Sequence, residues 1–95
     1  MTELTHYIGG AHLKGTSGRF ADVYNPATGE VQAKVPLASA AEISQAVEIA
    51  ERAQRAWGAV NPQRRARVMM KFVDLLNRDM DQLAEALSRE HGKTL

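Results

Sequence analysis

Ninety-five residues, 44% of them hydrophobic, suffice for one small core and fall short of a two-domain enzyme plan at roughly 100 to 200 residues per domain. Twelve Lys and Arg against eleven Asp and Glu leave a net charge of +1, too little to draw in nucleic acid or an anionic membrane through a global field. The absence of cysteine excludes a disulfide framework, a thiolate metal site and a thiol nucleophile, and it fits a reducing compartment.

In chain order, Met1-Thr2-Glu3-Leu4-Thr5 has neither the basic start nor the apolar stretch of a secretory leader. No apolar run anywhere approaches the roughly 18 residues of a membrane span, so a soluble cytoplasmic protein is expected. His6-Tyr7-Ile8 and Ala11-His12-Leu13 flank Gly9-Gly10, a pair suited to the positive dihedrals of a two-residue hairpin turn. After a Gly, Ser and Thr loop from Lys14 to Gly18, residues 19–24 read as a strand carrying Phe20, Val23 and Tyr24. Asn25-Pro26-Ala27-Thr28-Gly29-Glu30 must reverse the chain: Asn25 favours an Asx turn, Pro26 presets its backbone angle, and Gly29 supplies a left-handed position. Val31, Ala33, Val35 and Leu37 then alternate with polar residues, which predicts a half-buried strand. Residues 6–37 thus read as a small antiparallel β unit.

At Ser39 the period changes from 2 to 3.6. Ile43, Ala46, Val47, Ala50, Ala53 and Trp57 fall on one stripe of a helix over about 40–57, and Ser39-Ala40-Ala41-Glu42 reads as its capping box. Glu48 with Arg52 and Glu51 with Arg55 stand four apart in the favourable orientation. Gly58 ends this helix, and Asn61-Pro62 starts the next, over 62–78, with Asn as cap and Pro where its missing amide costs nothing. Its apolar stripe is Val68, Met69, Phe72, Val73, Leu75 and Leu76. Asp79 as cap with Gln82 three residues on predicts a third helix over 80–91 that buries Leu83, Ala84 and Leu87 and stops at Gly92. The layout divides into a β part, 1–38, and a helical part, 39–95.

Candidate chemistry is thin. Gly92-Lys93-Thr94 imitates the end of a phosphate-binding loop, but the required first glycine would fall at Leu87 and a helix stands where a strand is needed. Gly15-Thr16-Ser17-Gly18 lacks the three glycines of a dinucleotide fingerprint. Arg64, Arg65, Arg67 and Lys71 crowd the start of the second helix, where the macrodipole disfavours cations. Without aromatic interleaving they read as a solvated face rather than a nucleic-acid site, and their position predicts that at least one pairs with an acid elsewhere. His6, His12 and His91 lack metal-ligand spacing, and Trp57 reads as core packing. Asp79, Asp81, Glu85 and Glu90 are accounted for as caps, helix pairs such as Glu85 with Arg89, or surface charge. No catalytic, cofactor-binding or metal-ligating residue is nominated.

The order of these features carries more than any one of them. The N-terminal hairpin, Asn25-Pro26-Ala27-Thr28-Gly29-Glu30, Val35-Pro36-Leu37-Ala38-Ser39, Ala46-Val47 with Trp57, Arg65-Ala66-Arg67 and Glu90-His91-Gly92-Lys93-Thr94 together resemble the start of the aldehyde dehydrogenase superfamily over essentially the whole chain. Residues 61–72 and 89–94 look most like its coenzyme A acylating methylmalonate-semialdehyde dehydrogenases. The one local departure is Gly9-Gly10, where the family usually has Asn-Gly or Asp-Gly.

The resemblance implies an incomplete N-terminal portion of the NAD-binding domain of an α/β enzyme several hundred residues long, a homo-oligomer (tetramer) acting in valine catabolism. In that enzyme a cysteine thiolate attacks the aldehyde, hydride passes to NAD, and the thioester is released to coenzyme A. The catalytic cysteine and the nicotinamide and coenzyme A sites lie downstream of what matches here, so no role carries over to any residue of this chain. The expectation is an inactive piece of outer scaffold. The alternative is a stand-alone module that docks onto a full-length dehydrogenase through Ile43, Val47, Phe72 and Leu76, with nucleic-acid binding through Arg64 to Lys71 far behind.

Overall fold

The computed structural model describes residues 2–95. Five strands precede three helices: β1 (Thr2–Glu3), β2 (His6–Ile8), β3 (Ala11–Leu13), β4 (Phe20–Tyr24), β5 (Val31–Pro36), α1 (Ala40–Gly58), α2 (Pro62–Arg78) and α3 (Met80–His91). β2 and β3 form an antiparallel hairpin with Ile8 opposite Ala11. Gly9 and Gly10 both take positive φ, 62° and 79°, the pair of dihedrals that a primed hairpin turn demands. The turn lies near α1: a Cβ at Gly9 would meet the Ile49 side chain at 3.5 Å.

The second sheet has the order β1-β5-β4. β4 and β5 are antiparallel, joined by the Asn25–Glu30 reversal. There the Asn25 Oδ1 accepts from the Ala27 amide at 2.9 Å, and the Gly29 amide donates to the Asn25 carbonyl at 2.7 Å. The expected Asx turn is formed. One strand was not read from the sequence: Thr2 and Glu3 pair in parallel with Ala33 and Lys34. Two residues carry no period, and their partners lie some thirty positions on.

A register shift between Val23 and Tyr24 pairs Val23 with Ala33 but Tyr24 with Val31, so Gln32 is the extra residue of a bulge. The bulge breaks the simple alternation expected of β5. Gln32 is half-buried, and its Nε2 donates to the Arg89 carbonyl at 3.0 Å and to the Tyr24 carbonyl at 3.4 Å, tying the sheet to the last turn of α3. A second tie lies beside it: Gly92, at φ 86°, caps α3 by donating its amide to the Ser88 carbonyl at 2.8 Å and packs against Pro26. The Asn25–Glu30 turn thus touches the far end of the helical part.

The helix starts follow the local chemistry. Ser39 and Glu42 form both halves of the capping box, the Glu42 amide donating to Ser39 Oγ at 3.1 Å and the Ser39 amide to Glu42 Oε1 at 3.0 Å. Asn61 caps α2 through the Gln63 amide at 2.8 Å, with Pro62 at the first position. Asp79 behaves differently from expectation. Its carboxylate makes no cap bond to α3, because Arg78 holds both oxygens, Nε to Oδ1 and Nη2 to Oδ2, each at 2.9 Å.

The core is small. Ala33, 8% exposed, is the one buried hydrophobic residue among those described, with Pro36 also buried in β5. Trp57 is 42% exposed, and Leu83 and Leu87 are 45% and 55% exposed, which corrects their assignment to a core. Periodicity had identified the face that each stripe presents, but no second layer covers it. The molecule is a slab of 48 × 36 × 15 Å with a radius of gyration of 17.0 Å, against about 12 Å for a compact chain of this length.

Candidate functional site

The loops and histidines singled out in the sequence do not converge on one place among the described residues. Gly92-Lys93-Thr94 follows a helix, and Gly92 is its left-handed cap, so no strand-to-helix turn presents a fan of amides to phosphate. Gly15 to Gly18 joins two strands, and Gly15 is wedged between Pro36 and the His6 ring. Neither loop has the geometry of a dinucleotide cradle, so neither fits NAD. No cluster of three or more metal-ligating side chains occurs among the described residues.

The histidines are dispersed. His12 Nδ1 lies 3.2 Å from Thr5 Oγ1, with its ring edge-on to Tyr7 at 5.0 Å between centroids. His6 turns the other way. Its buried Nε2 has no hydrogen-bond partner and lies 3.5 Å from Glu42 Oε2, which also accepts weakly from the Thr16 amide at 3.3 Å. Glu42 titrates below the usual carboxylate range, chiefly because the Ser39 amide stabilises its ionised form; burial opposes the shift. Asp79 is also lowered, by its hydrogen bonds from Arg78, and Arg78 is raised by the same contact. Both are structural pairings at the start or junction of helices.

The expected ion pairs form in part. Arg55 Nη2 meets Glu51 at 2.7 Å and Arg89 Nη2 meets Glu85 at 3.1 Å, whereas Glu48 and Arg52 form no bridge. The basic stretch departs from expectation. Among the described residues none of Arg64, Arg65, Arg67 and Lys71 has an acidic partner, and Arg65 instead donates from Nε to the Val60 carbonyl at 3.1 Å.

What the fold does assemble is apolar surface. On α2 a shallow groove of about 440 Å³ is lined by Arg67, Val68, Lys71, Phe72 and Leu75. A second groove, about 410 Å³, lies between the sheet and α3 and includes Leu4, Val23, Val35 and Ala86. The accessible surface is 7811 Å², whereas a compact monomer of this mass exposes roughly 5,400 Å². The excess, roughly 2,400 Å², exceeds one side of an ordinary protein interface at about 800 Å².

Among the described residues the fold is a β unit followed by three helices with open apolar faces. The aldehyde dehydrogenase family profile matches residues 12–95, and the chain belongs to that family. A malonate-semialdehyde dehydrogenase of Listeria monocytogenes is 42% identical over 98% of this chain and 19% of its own length. Among solved structures, a protein of Sinorhizobium meliloti assigned as a methylmalonate-semialdehyde dehydrogenase, complexed with NAD, is 62% identical, with a TM-score of 0.91 over 96% of this chain and 18% of that one. The methylmalonate-semialdehyde dehydrogenase of Oceanimonas doudoroffii is 36% identical over 96% of this chain and 18% of its own, with a TM-score of 0.89. The chain therefore spans about a fifth of the length of the relatives it matches.

Proposed function

We propose that residues 1–95 form an incomplete N-terminal portion of an NAD-dependent, coenzyme A acylating methylmalonate-semialdehyde dehydrogenase. The observation that carries this reading is the 62% identity to the Sinorhizobium meliloti protein over 96% of the chain, with one fold throughout. The reaction assigned to the whole enzyme is the conversion of methylmalonate semialdehyde, coenzyme A and NAD to propionyl-CoA, carbon dioxide and NADH. Its oxidation step transfers hydride from the substrate to a nicotinamide, and its acyl step runs through a thiolate that this chain, without cysteine, does not contain. The chain contributes scaffold: the β part, 1–38, and the helical part, 39–95, cover and brace a larger nucleotide-binding body. The whole enzyme is read as a cytoplasmic homo-oligomer, a tetramer, of valine catabolism, with the aldehyde and coenzyme A as its small-molecule partners and neither nucleic acid nor membrane among them.

The test has two arms. The chain alone, supplied with methylmalonate semialdehyde, coenzyme A and NAD, forms no NADH by absorbance. A chimera carrying this chain in place of the matched segment of the Sinorhizobium meliloti protein forms NADH and propionyl-CoA, and prefers methylmalonate to malonate semialdehyde. Turnover by the chain alone, or a chimera that folds and oxidises neither semialdehyde, overturns the reading.

A further inference from the structure

We propose that His6 carries its ring hydrogen on Nε2 and donates it to the Glu42 carboxylate, and that this bond locks the N-terminal hairpin and the 14–18 loop to the start of α1. The lock rests on the fold alone and does not depend on the reaction assigned to the whole enzyme.

This contact is the most enclosed ionic pair among the described residues. The His6 and Glu42 side chains are 17% and 13% exposed, whereas both members of every other pair are at least 36% exposed. His6 Nε2 is buried, has no hydrogen-bond partner and lies 3.5 Å from Glu42 Oε2. A neutral imidazole holds one hydrogen, and the nitrogen that carries it decides whether this contact attracts or repels. With the hydrogen on Nδ1, the Nε2 lone pair would face a carboxylate oxygen that itself only accepts, and a buried acceptor would be left without a donor. With the hydrogen on Nε2, a small closure of the gap satisfies both atoms. A second proton leaves the Nε2–H in place, so the bond is available in both charge states of the ring. Glu42 is a strong acceptor here because it stays ionised: the Ser39 amide chiefly holds it below the usual carboxylate range, against burial, with the Thr16 amide and His6 adding to the effect.

The segments that meet at this bond give it its role. His6 opens β2, and Glu42 stands in the first turn of α1. The Thr16 amide donates to the same Oε2 at 3.3 Å. Gly15 fits beneath the loop only because it lacks a side chain: a Cβ there would meet Pro36 Cβ at 2.9 Å and His6 Nε2 at 3.3 Å. Next in the chain, Ser17 Oγ donates to the Leu37 carbonyl, and Arg19 Nη2 donates to the Ala38 carbonyl at 3.2 Å, binding the loop to the connection between β5 and α1. α1 itself has no buried residue, so apolar packing does not fix it against the hairpin. The polar joint takes that part. Hairpin, loop and helix start close on one carboxylate, and losing the His6 bond frees the other two together.

The test is hydrogen exchange, read by mass spectrometry, on the chimera with the Sinorhizobium meliloti body. The amide nitrogen of glutamine reaches the place of histidine Nε2, and that of asparagine reaches only the place of Nδ1, so His6→Gln should exchange as wild type. His6→Asn should raise exchange about tenfold in peptides covering both 14–18 and 39–43, with α3 unchanged. In a Glu42→Ala background the two His6 variants should become indistinguishable. His6→Gln exchanging like His6→Asn, His6→Asn exchanging like wild type, a change confined to the hairpin, or a His6 effect that survives Glu42→Ala overturns the proposal. If the chimera or its asparagine variant does not fold, solution or solid-state nitrogen-15 NMR of the histidine-labelled chain decides, at about pH 8.5 where an ordinary histidine is neutral and with His6→Gln identifying the signal. The Nε2–H tautomer is expected, and the Nδ1–H tautomer overturns the proposal. Exchange needs no turnover, so an inactive chimera removes the assigned reaction and leaves the lock standing.

Discussion

At residue scale, Glu42 and Gly92 each sit where distant parts of the chain meet. Glu42 accepts from Ser39 and Thr16 and faces His6, so one carboxylate serves the start of α1, a loop and the hairpin. Its folded-state value lies below the ordinary 4.5, so its contribution is fully present above that value and is lost as pH falls through the depressed one. Acid titration followed by circular dichroism should show helix loss below about pH 4.5, with a smaller pH-dependent change in Glu42→Gln. Ser39→Ala should cost about 1 kcal/mol at the same helix start, read as a lower melting temperature in the chimera. Gly92 is constrained twice, by its left-handed φ and by Pro26, which a Cβ would meet at 3.1 Å. Gly92→Ala is expected to destabilise the chimera by about 1–2 kcal/mol in chemical denaturation. A neutral result would show that the Pro26 contact yields freely.

At element scale, the features legible in the sequence are those whose chemistry closes within a few residues. The Asn25 turn, the Ser39–Glu42 box, the Asn61–Pro62 start and the Gly9-Gly10 hairpin each involve partners no more than seven positions apart, and each formed as read. Asp79 shows the limit of such reasoning: a cap and a neighbouring guanidinium compete for one carboxylate, and the bidentate Arg78 contact won. The parallel pairing of β1 and the bulge at Gln32 depend on residues distant in sequence, and local periodicity is blind to both. The lack of a thiol was legible from composition, whereas the unpaired state of the α2 cations was not, because charge near a helix start only predicts that a partner is wanted. The elements also differ in support. β5 is bonded on both sides, while α1 meets the hairpin along one flank. Hydrogen exchange of the chain should therefore protect β5 amides most and α1 and α2 amides least, and uniform protection would contradict this ordering.

At the scale of the whole molecule, the slab shape and open stripes define how the chain should behave alone. Val47, 62% exposed, and the Phe72 groove offer apolar surface that water tolerates poorly. The isolated chain is expected to bind a hydrophobic dye and to self-associate or melt without a sharp transition. Cooperative thermal unfolding of a dye-free monomer would refute that. Val47→Asp with Phe72→Asp should lower dye binding without restoring cooperativity, because the missing layer is absent whether or not its contact face is polar.

The tie from Gln32 to the Arg89 carbonyl also sets an order of events during synthesis. It joins positions 57 residues apart, so it cannot form until α3 has left the ribosome. The helices and hairpin, built from near neighbours, form within microseconds of emerging, whereas the sheet must wait for its brace. Translation at about 5–20 residues per second leaves β4 and β5 without α3 for seconds, a window in which an open strand edge can find a chaperone or the wrong neighbour.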